Sequence, residues 1–509
     1  MGRPLQLKAI KHGRSIMSKT NETFSGDLFS PIITTFTECI QKIIEGGGKS
    51  MVEGLKKMKG LNFNPSVELF KVDMKMLSCE KKTLDESHLG WSINADRAYP
   101  LSYFDPGKNT FIIGASGWGK TNLINILQEN CLRREQGIVF IDPKGSLEAI
   151  NTFKRLCRHY GKEYRIFSEH DIESSNFNPI ADMTNSQRLS TIMRSFDWGK
   201  NPNQYYYNES QKALMTVLNE LSASDQEFDL HDIYLKLSAE HDKEETSGLL
   251  AQFKILLESD FGKLFRKGSA DKPSITLKRA WEEKLCVYVG CSTQGYSTIA
   301  RTVGKFFVSE AMNLSYWIGI KFDDSHKAME KSFGLFIDEA GSVIFSDILD
   351  LANKCRASGI NLYFAMQSYS DSEMIGGNEI LMKQFFESFS NWFIQKQTSA
   401  ENAEKLASAC GTYVTEKTTN ATDGGIESGR GTMREANEYL CHPDILKGMN
   451  VGQAILLEHG PKSLNLLNIR DARNSKAFKR PDEKEQEEVR NSPMVPVEKD
   501  GNTQKYGGL

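Results

Sequence analysis

The sequence predicts an α/β protein with a mainly parallel central sheet and an inserted all-α domain. Short apolar runs alternate with helix-length segments from Asn109 to Phe167, which is the order of strands joined by crossover helices. The strand pattern disappears between residues 182 and 280, where apolar residues recur at helical spacing. Patterns of buried strands resume at Leu285, so we expect the helical stretch to interrupt one sheet domain.

The individual elements follow from these patterns in chain order. Strands are expected at 66–73, 109–113, 137–141, 164–167, 285–290, 333–337, 361–366, 391–396 and 453–458. Helices are expected at 27–45, 120–134, 146–160, 205–221, 231–240, 244–257 and 297–315. The predicted segments are an N-terminal helical or flexible part (1–60), a first part of the sheet domain (61–181), the all-α domain (182–280), a second part of the sheet domain (281–471) and a disordered charged tail (472–509).

The composition of the 509 residues is that of a globular protein, with 39% hydrophobic and 25% charged residues. The formal net charge of -3 excludes a uniformly basic nucleic-acid coat, but it is compatible with a pore lined by a few Lys and Arg. The nine cysteines form no C-x-x-C pair, which predicts reduced thiols in place of disulfides or a zinc site. No apolar run reaches about 18 residues, so no membrane-spanning helix is expected.

The most specific pattern is a glycine-rich segment between the expected strand 109–113 and the expected helix 120–134. It satisfies G-x-x-x-x-G-K-[ST] with Gly114, Ala115, Ser116, Gly117, Trp118, Gly119, Lys120 and Thr121. In such a loop the backbone N–H groups converge on phosphate oxygens, the lysine neutralises the β- and γ-phosphates, and the hydroxyl binds Mg²⁺. We therefore predict a site for ATP and Mg²⁺; the alternative is a glycine-rich turn without a ligand.

Trp118 is unusual within this loop, where a small side chain is the common choice. The phosphate contacts come from the backbone, so a large side chain is tolerated when it points away from the phosphates. Core packing is the expected role of Trp118. Stacking on a base and packing against a neighbouring subunit are the alternatives.

An acidic pair follows the expected strand 333–337. Asp338 is expected to hold Mg²⁺ through water, and Glu339 is expected to polarise the attacking water as a base. An acidic pair at the end of a strand is common by itself, but the phosphate-loop pattern upstream favours a hydrolytic role. The inserted all-α domain accounts for the long separation between Thr121 and Asp338.

Two further polar residues flank the next expected strand, 361–366. Gln367 follows it and is expected to sense the γ-phosphate; a plain strand cap is the alternative. Arg356 precedes the strand and is a candidate arginine finger that reaches the ATP of a neighbouring subunit. The alternative for Arg356 is a solvated arginine at a helix end, where the helix dipole favours a cation.

Together these residues make the chain resemble the coupling proteins of type IV secretion and bacterial conjugation. These proteins are relatives of the septal DNA translocases and have a RecA-like P-loop NTPase motor. The resemblance covers about residues 105–470. Besides the motifs above, the similar segments are Asp142-Pro143-Lys144-Gly145, Asn178-Pro179, Tyr205 to Ser210, Gln367-Ser368, Pro443 to Leu446 and Gly452 to Ala454.

The resemblance implies an ATP-driven motor that forms a homo-hexamer, with ATP at the subunit interfaces and DNA through the centre. It implies relaxase or relaxosome proteins and components of a type IV secretion channel as partners. Family members usually begin with membrane-spanning helices, whereas this sequence predicts none. The chain is then either truncated or a cytoplasmic form that partners recruit to the bacterial inner membrane. The alternatives are a DNA-packaging or DNA-processing motor of the same superfamily and a nucleotide-gated platform that docks protein substrates.

Overall fold

The structure is a computed structural model that describes most of the chain between residues 84 and 479. The described ranges are 84–94, 97–102, 108–199, 202–224, 226–241, 243–269, 274–293, 295, 297–322, 332–339, 348–369, 379–423, 426–459 and 462–479. The expected helix at 27–45 and the expected strand at 66–73 lie outside these ranges. The described chain divides into two compact units, one containing Thr412–Glu438 and the other containing the remaining described residues.

Thirteen strands occur in the described ranges. They are β1 His88–Asn94, β2 Arg97–Ser102, β3 Thr110–Ile113, β4 Gly137–Asp142, β5 Tyr164–Phe167, β6 Cys286–Gly290, β7 Phe333–Ile337, β8 Ile360–Met366, β9 Asn391–Ile394, β10 Thr412–Asp423, β11 Ile426–Tyr439, β12 Gln453–His459 and β13 Lys462–Ile469. Eleven of them form one sheet in the order β2-β1-β13-β12-β9-β3-β8-β7-β4-β6-β5. The strands β10 and β11 form a separate two-stranded sheet.

The middle of the large sheet is parallel, from β9 through β3, β8, β7, β4 and β6 to β5. The strands β3, β4, β6, β7 and β8 are buried along their whole length, as parallel strands are when helices cover both faces. The strands β12, β13, β1 and β2 extend the sheet with antiparallel pairs. The prediction of a mainly parallel central sheet is therefore confirmed.

The helices of the described ranges surround this sheet. They are α1 Lys120–Arg133, α2 Leu147–His159, α3 Asn185–Ser195, α4 Gln204–Ser222, α5 Leu230–Glu240, α6 Ser247–Leu257, α7 Leu277–Glu283, α8 Ser297–Lys321, α9 Ile348–Lys354, α10 Glu379–Glu387, α11 Ala400–Cys410 and α12 Pro443–Gly448. Within the described part of the chain, no helix is both long and apolar enough to cross a membrane.

The predicted all-α insertion corresponds to the helices α3 to α7, which lie between the strands β5 and β6. Its apolar side chains belong to the same hydrophobic core as those of the sheet: Phe196 and Leu214 share a buried cluster with Phe111 and Val287. The insertion is part of the larger compact unit for this reason.

Several predicted boundaries require correction. The sequence patterns did not indicate the strands β1, β2, β10, β11 and β13, and the helix α8 extends beyond residue 315 to Lys321. The disordered tail does not begin at residue 472, because two 3₁₀ helices span Ala472–Asn474 and Lys476–Phe478. Ala477 and Phe478 are buried in the core cluster that lies against helix α2, so apolar burial fixes this segment.

A buried ion pair fixes helix α1 to the chain that follows strand β13. The Glu129 carboxylate on α1 is fully buried and accepts hydrogen bonds from the Arg470 guanidinium and the Ser475 hydroxyl. Near the start of the same helix, the Asn122 amide donates to the backbone oxygen of Arg470 (2.8 Å), and its oxygen accepts from the N–H of Ala472 (2.8 Å). The helix that begins at the phosphate loop is thereby held at both ends.

Arg470→Met should lower the free energy of unfolding by about 3–5 kcal/mol, because it leaves the Glu129 charge buried without its cation. Arg473→Met is the matched control, since Arg473 is 86% exposed and solvent screens its pair with Asp471. The measurement is the urea midpoint of each variant. Equal midpoints for the two variants would show that the buried pair does not stabilise the fold.

A second buried carboxyl predicts a pH dependence of stability. Glu310 of helix α8 is 4% exposed; its Oε1 accepts the N–H of Leu277 (2.8 Å), and its Oε2 has no partner among the described residues. Burial raises the pKa of Glu310 to about 8, although the Leu277 hydrogen bond opposes the rise. Glu310 is thus protonated in the folded state at neutral pH but ionised in the unfolded state, whose pKa is near 4.5.

Folding therefore takes up a proton, and the stability falls as the pH rises from about 4.5 to about 8, by roughly 1.4 kcal/mol per pH unit. Glu310→Gln keeps the acceptor for Leu277 and removes this titration. We expect it to stabilise the fold by on the order of 3 kcal/mol at pH 7 and to change little at pH 4.5. Melting temperatures of both proteins at pH 5 and pH 8 test this; parallel losses of stability in the two proteins would contradict it.

Candidate functional site

The glycine-rich segment Gly114–Thr121 joins the buried strand β3 to helix α1 at the carboxyl end of the parallel sheet. Strand β3 lies between β8 and β9, and the hydrogen bonding continues into the loop. The N–H of Gly114 donates to Met366 O (3.2 Å), and the N–H of Ala115 donates to Lys396 O (2.9 Å). The start of the loop is thus held by both neighbouring strands. The centre of the loop folds over the amino end of α1.

The glycines of the loop meet specific backbone requirements. Gly117 and Gly119 have φ values of 81° and 101°, a region that side-chain-bearing residues rarely adopt. A Cβ atom on Gly114 would lie 2.6 Å from the Cβ of Gln395, closer than packed atoms approach. These positions explain why the loop needs glycine at three places.

Lys120 is the first residue of α1 and is 6% exposed. Its ammonium donates to the carbonyl oxygens of Gly114 (2.6 Å) and Ala115 (3.1 Å), so it lies within the concave side of its own loop. Thr121 is exposed on the first turn of the helix and faces a cleft of about 950 Å³. The amino end of α1, with its N–H groups and positive dipole, points into the same region.

The acidic pair lies at the same edge of the sheet, because β7 is separated from β3 only by β8. Asp338 is 2% exposed, and burial raises its pKa, while the nearby Lys144 ammonium opposes the rise. The N–H of Glu339 donates to Asp338 Oδ1 (2.9 Å), and Glu339 has a φ of 40°. A left-handed glutamate is a strained conformation of the kind that persists at functional sites.

Two side chains hold the Glu339 carboxylate. The Lys144 ammonium lies 2.8 Å from Glu339 Oε1 and 4.0 Å from Asp338 Oδ2. The Gln367 amide donates to Glu339 Oε1 at 2.9 Å. The structure therefore brings Gln367 next to the acidic pair.

Asp142 adds a third carboxylate at the end of strand β4, next to β7. It is 3% exposed and accepts the Tyr288 hydroxyl (2.6 Å) and the N–H of Lys144 (2.9 Å). Burial raises its pKa, and the hydrogen bond from Tyr288 opposes the rise. In the sequence, Asp142 and Lys144 stand out only within a segment of the family resemblance, and no pattern points to Tyr288. The sequence feature that could have indicated Asp142 and Lys144 is the polar tetrapeptide Asp142-Pro143-Lys144-Gly145 at the end of a buried strand.

Arg356 lies elsewhere. Its backbone belongs to the 3₁₀ helix Cys355–Ser358, and its side chain is outside the described part of the structure. This turn precedes β8, whereas Gln367 follows β8, so seven strand residues, about 20 Å, separate them. The turn is thus at the opposite edge of the sheet from the phosphate loop of the same chain.

The expectation that Trp118 packs in the core is wrong. Trp118 is half-buried and belongs to neither hydrophobic cluster, and the Lys396 ammonium lies 3.9 Å from the centre of its ring. Its carbonyl oxygen accepts the N–H of Gly452 at 3.4 Å. A cation over an aromatic face is attractive, so these contacts tie the loop to the ends of β9 and β12.

The cleft above the loop joins several of these groups. The residues that line it include Gly119, Thr121, Asp142, Lys144, Asp338 and Arg473. Carboxylates, hydroxyls and lysines in one cleft, together with a helix amino terminus, form a site suited to a phosphate and a hard divalent cation.

Two family profiles match the chain. Residues 99–254 match a profile described as the type IV secretion-system coupling protein DNA-binding domain, and residues 332–450 match one described as the TraM recognition site of TraD and TraG. The chain belongs to the type IV coupling protein family. The two matched regions of this coupling protein contain the phosphate loop, the acidic pair, Arg356 and Gln367.

Solved structures of bacterial coupling proteins share the fold of this coupling protein. The unbound monoclinic form of the bacterial conjugative coupling protein TrwBΔN70 has 14% identity and a TM-score of 0.55, over 80% of this chain and 94% of that one. The plasmid coupling protein TrwB in complex with ADPNP has 14% identity and a TM-score of 0.53, over 73% and 88% of the two chains. Its complex with ADP and Mg²⁺ has 14% identity and a TM-score of 0.54, over 74% and 90%. None of the curated protein sequences matches this coupling protein.

Proposed function

We propose that this coupling protein is an ATPase that works as a homo-hexamer and drives DNA, or a relaxase–DNA complex, into a type IV secretion channel. The observation that supports it most is the meeting of Lys120, Thr121, Asp338, Glu339 and Gln367 at one edge of the sheet. Recruitment to the inner face of the bacterial membrane by channel and relaxosome partners belongs to the same proposal.

The residues fit ATP with Mg²⁺. Asp338 is buried with a raised pKa, and the one ion pair that the described residues give it, with Lys144, measures 4.0 Å, so a divalent cation beside it would relieve the cost of its charge. When bound, Mg²⁺ neutralises charge that develops on the phosphate oxygens. We assign Thr121 and Asp338 to the metal, and the loop Gly114–Thr121 to the phosphates, in agreement with the relative that is solved with ADP and Mg²⁺.

The contacts support the following proposed roles in hydrolysis. Lys120 leaves its own loop carbonyls and neutralises the β- and γ-phosphates. Glu339 orients and polarises the attacking water, and Gln367 positions Glu339 through its amide. Arg356 reaches the site of a neighbouring subunit, since its turn lies at the opposite edge of its own sheet.

A DNA-dependent ATPase assay, combined with negative-stain imaging of the oligomer, tests the proposal. We expect single- or double-stranded DNA to raise the hydrolysis rate several-fold and ring-shaped particles to appear under the same conditions. The stimulation should weaken with added salt, because phosphate contacts release counterions. A rate that is indifferent to both kinds of DNA at every concentration would contradict the proposal.

A further inference from the structure

A buried amide lies beneath the phosphate loop and takes no part in the contacts described above. Gln395 follows strand β9, and its backbone N–H donates to Ile113 O at 2.8 Å. Its side chain is fully buried, yet neither Oε1 nor Nε2 has a hydrogen-bond partner among the described residues. Buried amides are nearly always paired, and an unpaired one destabilises the fold, so this side chain needs an explanation.

The position of the amide links it to both ends of the loop. A Cβ atom on Gly114 would lie 2.6 Å from Gln395 Cβ and 3.2 Å from Gln395 Oε1. A Cβ atom on Gly119 would lie 3.7 Å from Gln395 Nε2. The amide therefore lies beside the first and the last glycine of the loop, with its oxygen toward Gly114 and its nitrogen toward Gly119, and only glycine at position 114 leaves room for it.

The hydrogen bonds of Lys120 suggest at which step the Gln395 amide gains a partner. Here the Lys120 ammonium donates to the carbonyl oxygens of Gly114 and Ala115. The proposed function requires this ammonium to move to the phosphates, which removes that donor from both carbonyls. Among the described residues, the amide of Gln395 is a neighbouring group with unused hydrogen-bonding capacity.

We propose that Gln395 is a positioning residue for the nucleotide-loaded form of the phosphate loop. In the nucleotide-free form its oxygen faces Gly114. On loading, the amide turns about its terminal side-chain bond, donates its N–H to the loop carbonyl that Lys120 releases, and thereby stabilises the conformation that receives the phosphates. The proposal rests on the proposed ATP-binding function. Because the amide is unpaired in the nucleotide-free form and paired in the loaded form, it contributes to nucleotide affinity and not to the stability of the free protein.

Gln395→Met tests this, because methionine has a similar volume and no hydrogen-bonding amide. We expect the melting temperature of the nucleotide-free variant to equal or exceed that of the original protein. Its affinity for ADPNP with Mg²⁺ should fall about tenfold, the loss expected for one buried hydrogen bond. Gln395→Leu is a second variant with the same expected signs.

Gln397→Met is the matched control, since Gln397 is 2% exposed and its amide is paired with Gln395 O at 2.9 Å. It should lower the melting temperature and change ADPNP affinity much less. Unchanged affinity in both Gln395 variants, or a loss of stability like that of Gln397→Met, would overturn the inference. If the original protein itself binds no ADPNP, the proposed function fails. If the original protein binds ADPNP and the Gln395 variants bind it with the same affinity, only the inference fails.

Discussion

Lys120→Ala is expected to abolish measurable binding of ATP and ADPNP. Lys120 is 6% exposed, and its ammonium already lies within the loop, so nothing in solution replaces it once the phosphates occupy the same space. A charge-assisted contact with phosphate is worth about 1.5–3 kcal/mol, and a partly buried site strengthens it. We expect the dissociation constant to rise on the order of a hundredfold or more, measured by calorimetry or by a fluorescent nucleotide.

The stability of the free variant separates this effect from unfolding. Lys120→Ala also removes the donor to Gly114 O and Ala115 O, so a small loss of stability is expected without nucleotide. Lys212→Ala serves as the control, because Lys212 is exposed on helix α4 and pairs with Glu209 on the same helix. Normal nucleotide affinity in folded Lys120→Ala would place the nucleotide elsewhere in the molecule.

The parallel strands were predictable because each is a short, continuous apolar run. Strand β7, Phe333–Ile337, is an example: five buried residues lead directly into Asp338. Such runs occur where helices cover both faces of a sheet. The run in the sequence therefore shows where the strand lies and which residues follow its carboxyl end. The site residues at the ends of β3, β7 and β8 could be predicted for the same reason.

The antiparallel strands at the other side of the sheet were not predictable in this way. Strand β1 contains Gly90 and strand β2 contains Pro100, residues that weaken a strand pattern. The structure explains Gly90: it has a φ of 156°, lies at a register shift, and a Cβ there would meet Asn468 O at 2.2 Å. The need for glycine at position 90 is imposed by β13, more than 370 residues away in the sequence. The residues around Gly90 therefore do not reveal it.

The contacts of Lys144 and Tyr288 illustrate the same limit within the site. Lys144 follows β4, Tyr288 lies in β6, and Glu339 follows β7, and these three strands are adjacent only in the folded sheet. Long connections, which include the all-α insertion, separate these strands in the sequence. The spacing of the strands along the chain therefore does not reveal that β7, β4 and β6 are neighbours in the sheet. The pairs Lys144–Glu339 and Tyr288–Asp142 therefore had to come from the structure.

Glu339→Gln is the second variant with a large expected effect. Glutamine keeps an oxygen that accepts the Gln367 amide, so the geometry of the site is retained. It removes the negative charge that we propose polarises the attacking water, and it leaves the Lys144 ammonium without its partner at 2.8 Å. We expect hydrolysis to fall by about 10²–10⁴-fold, the usual contribution of a positioned base, while ADPNP affinity changes little.

The matched control is Glu401→Gln, on the exposed surface of helix α11, where the carboxylate pairs with Lys405 on the same helix. Its hydrolysis rate should equal that of the original protein. Hydrolysis by Glu339→Gln at the rate of this control would assign the base to another residue. Asp142 is the next carboxylate to test, because it lies at the end of the neighbouring strand β4 and is 3% exposed.

The same variant decides between a motor and a docking platform. A motor must hydrolyse ATP in every cycle, so cells that carry Glu339→Gln should lose DNA transfer in proportion to the lost rate. A nucleotide-gated platform needs only the bound state, which Glu339→Gln preserves because the phosphate loop and Lys120 are untouched. Transfer that continues in Glu339→Gln but stops in Lys120→Ala would therefore show that binding, and not hydrolysis, performs the work of this coupling protein.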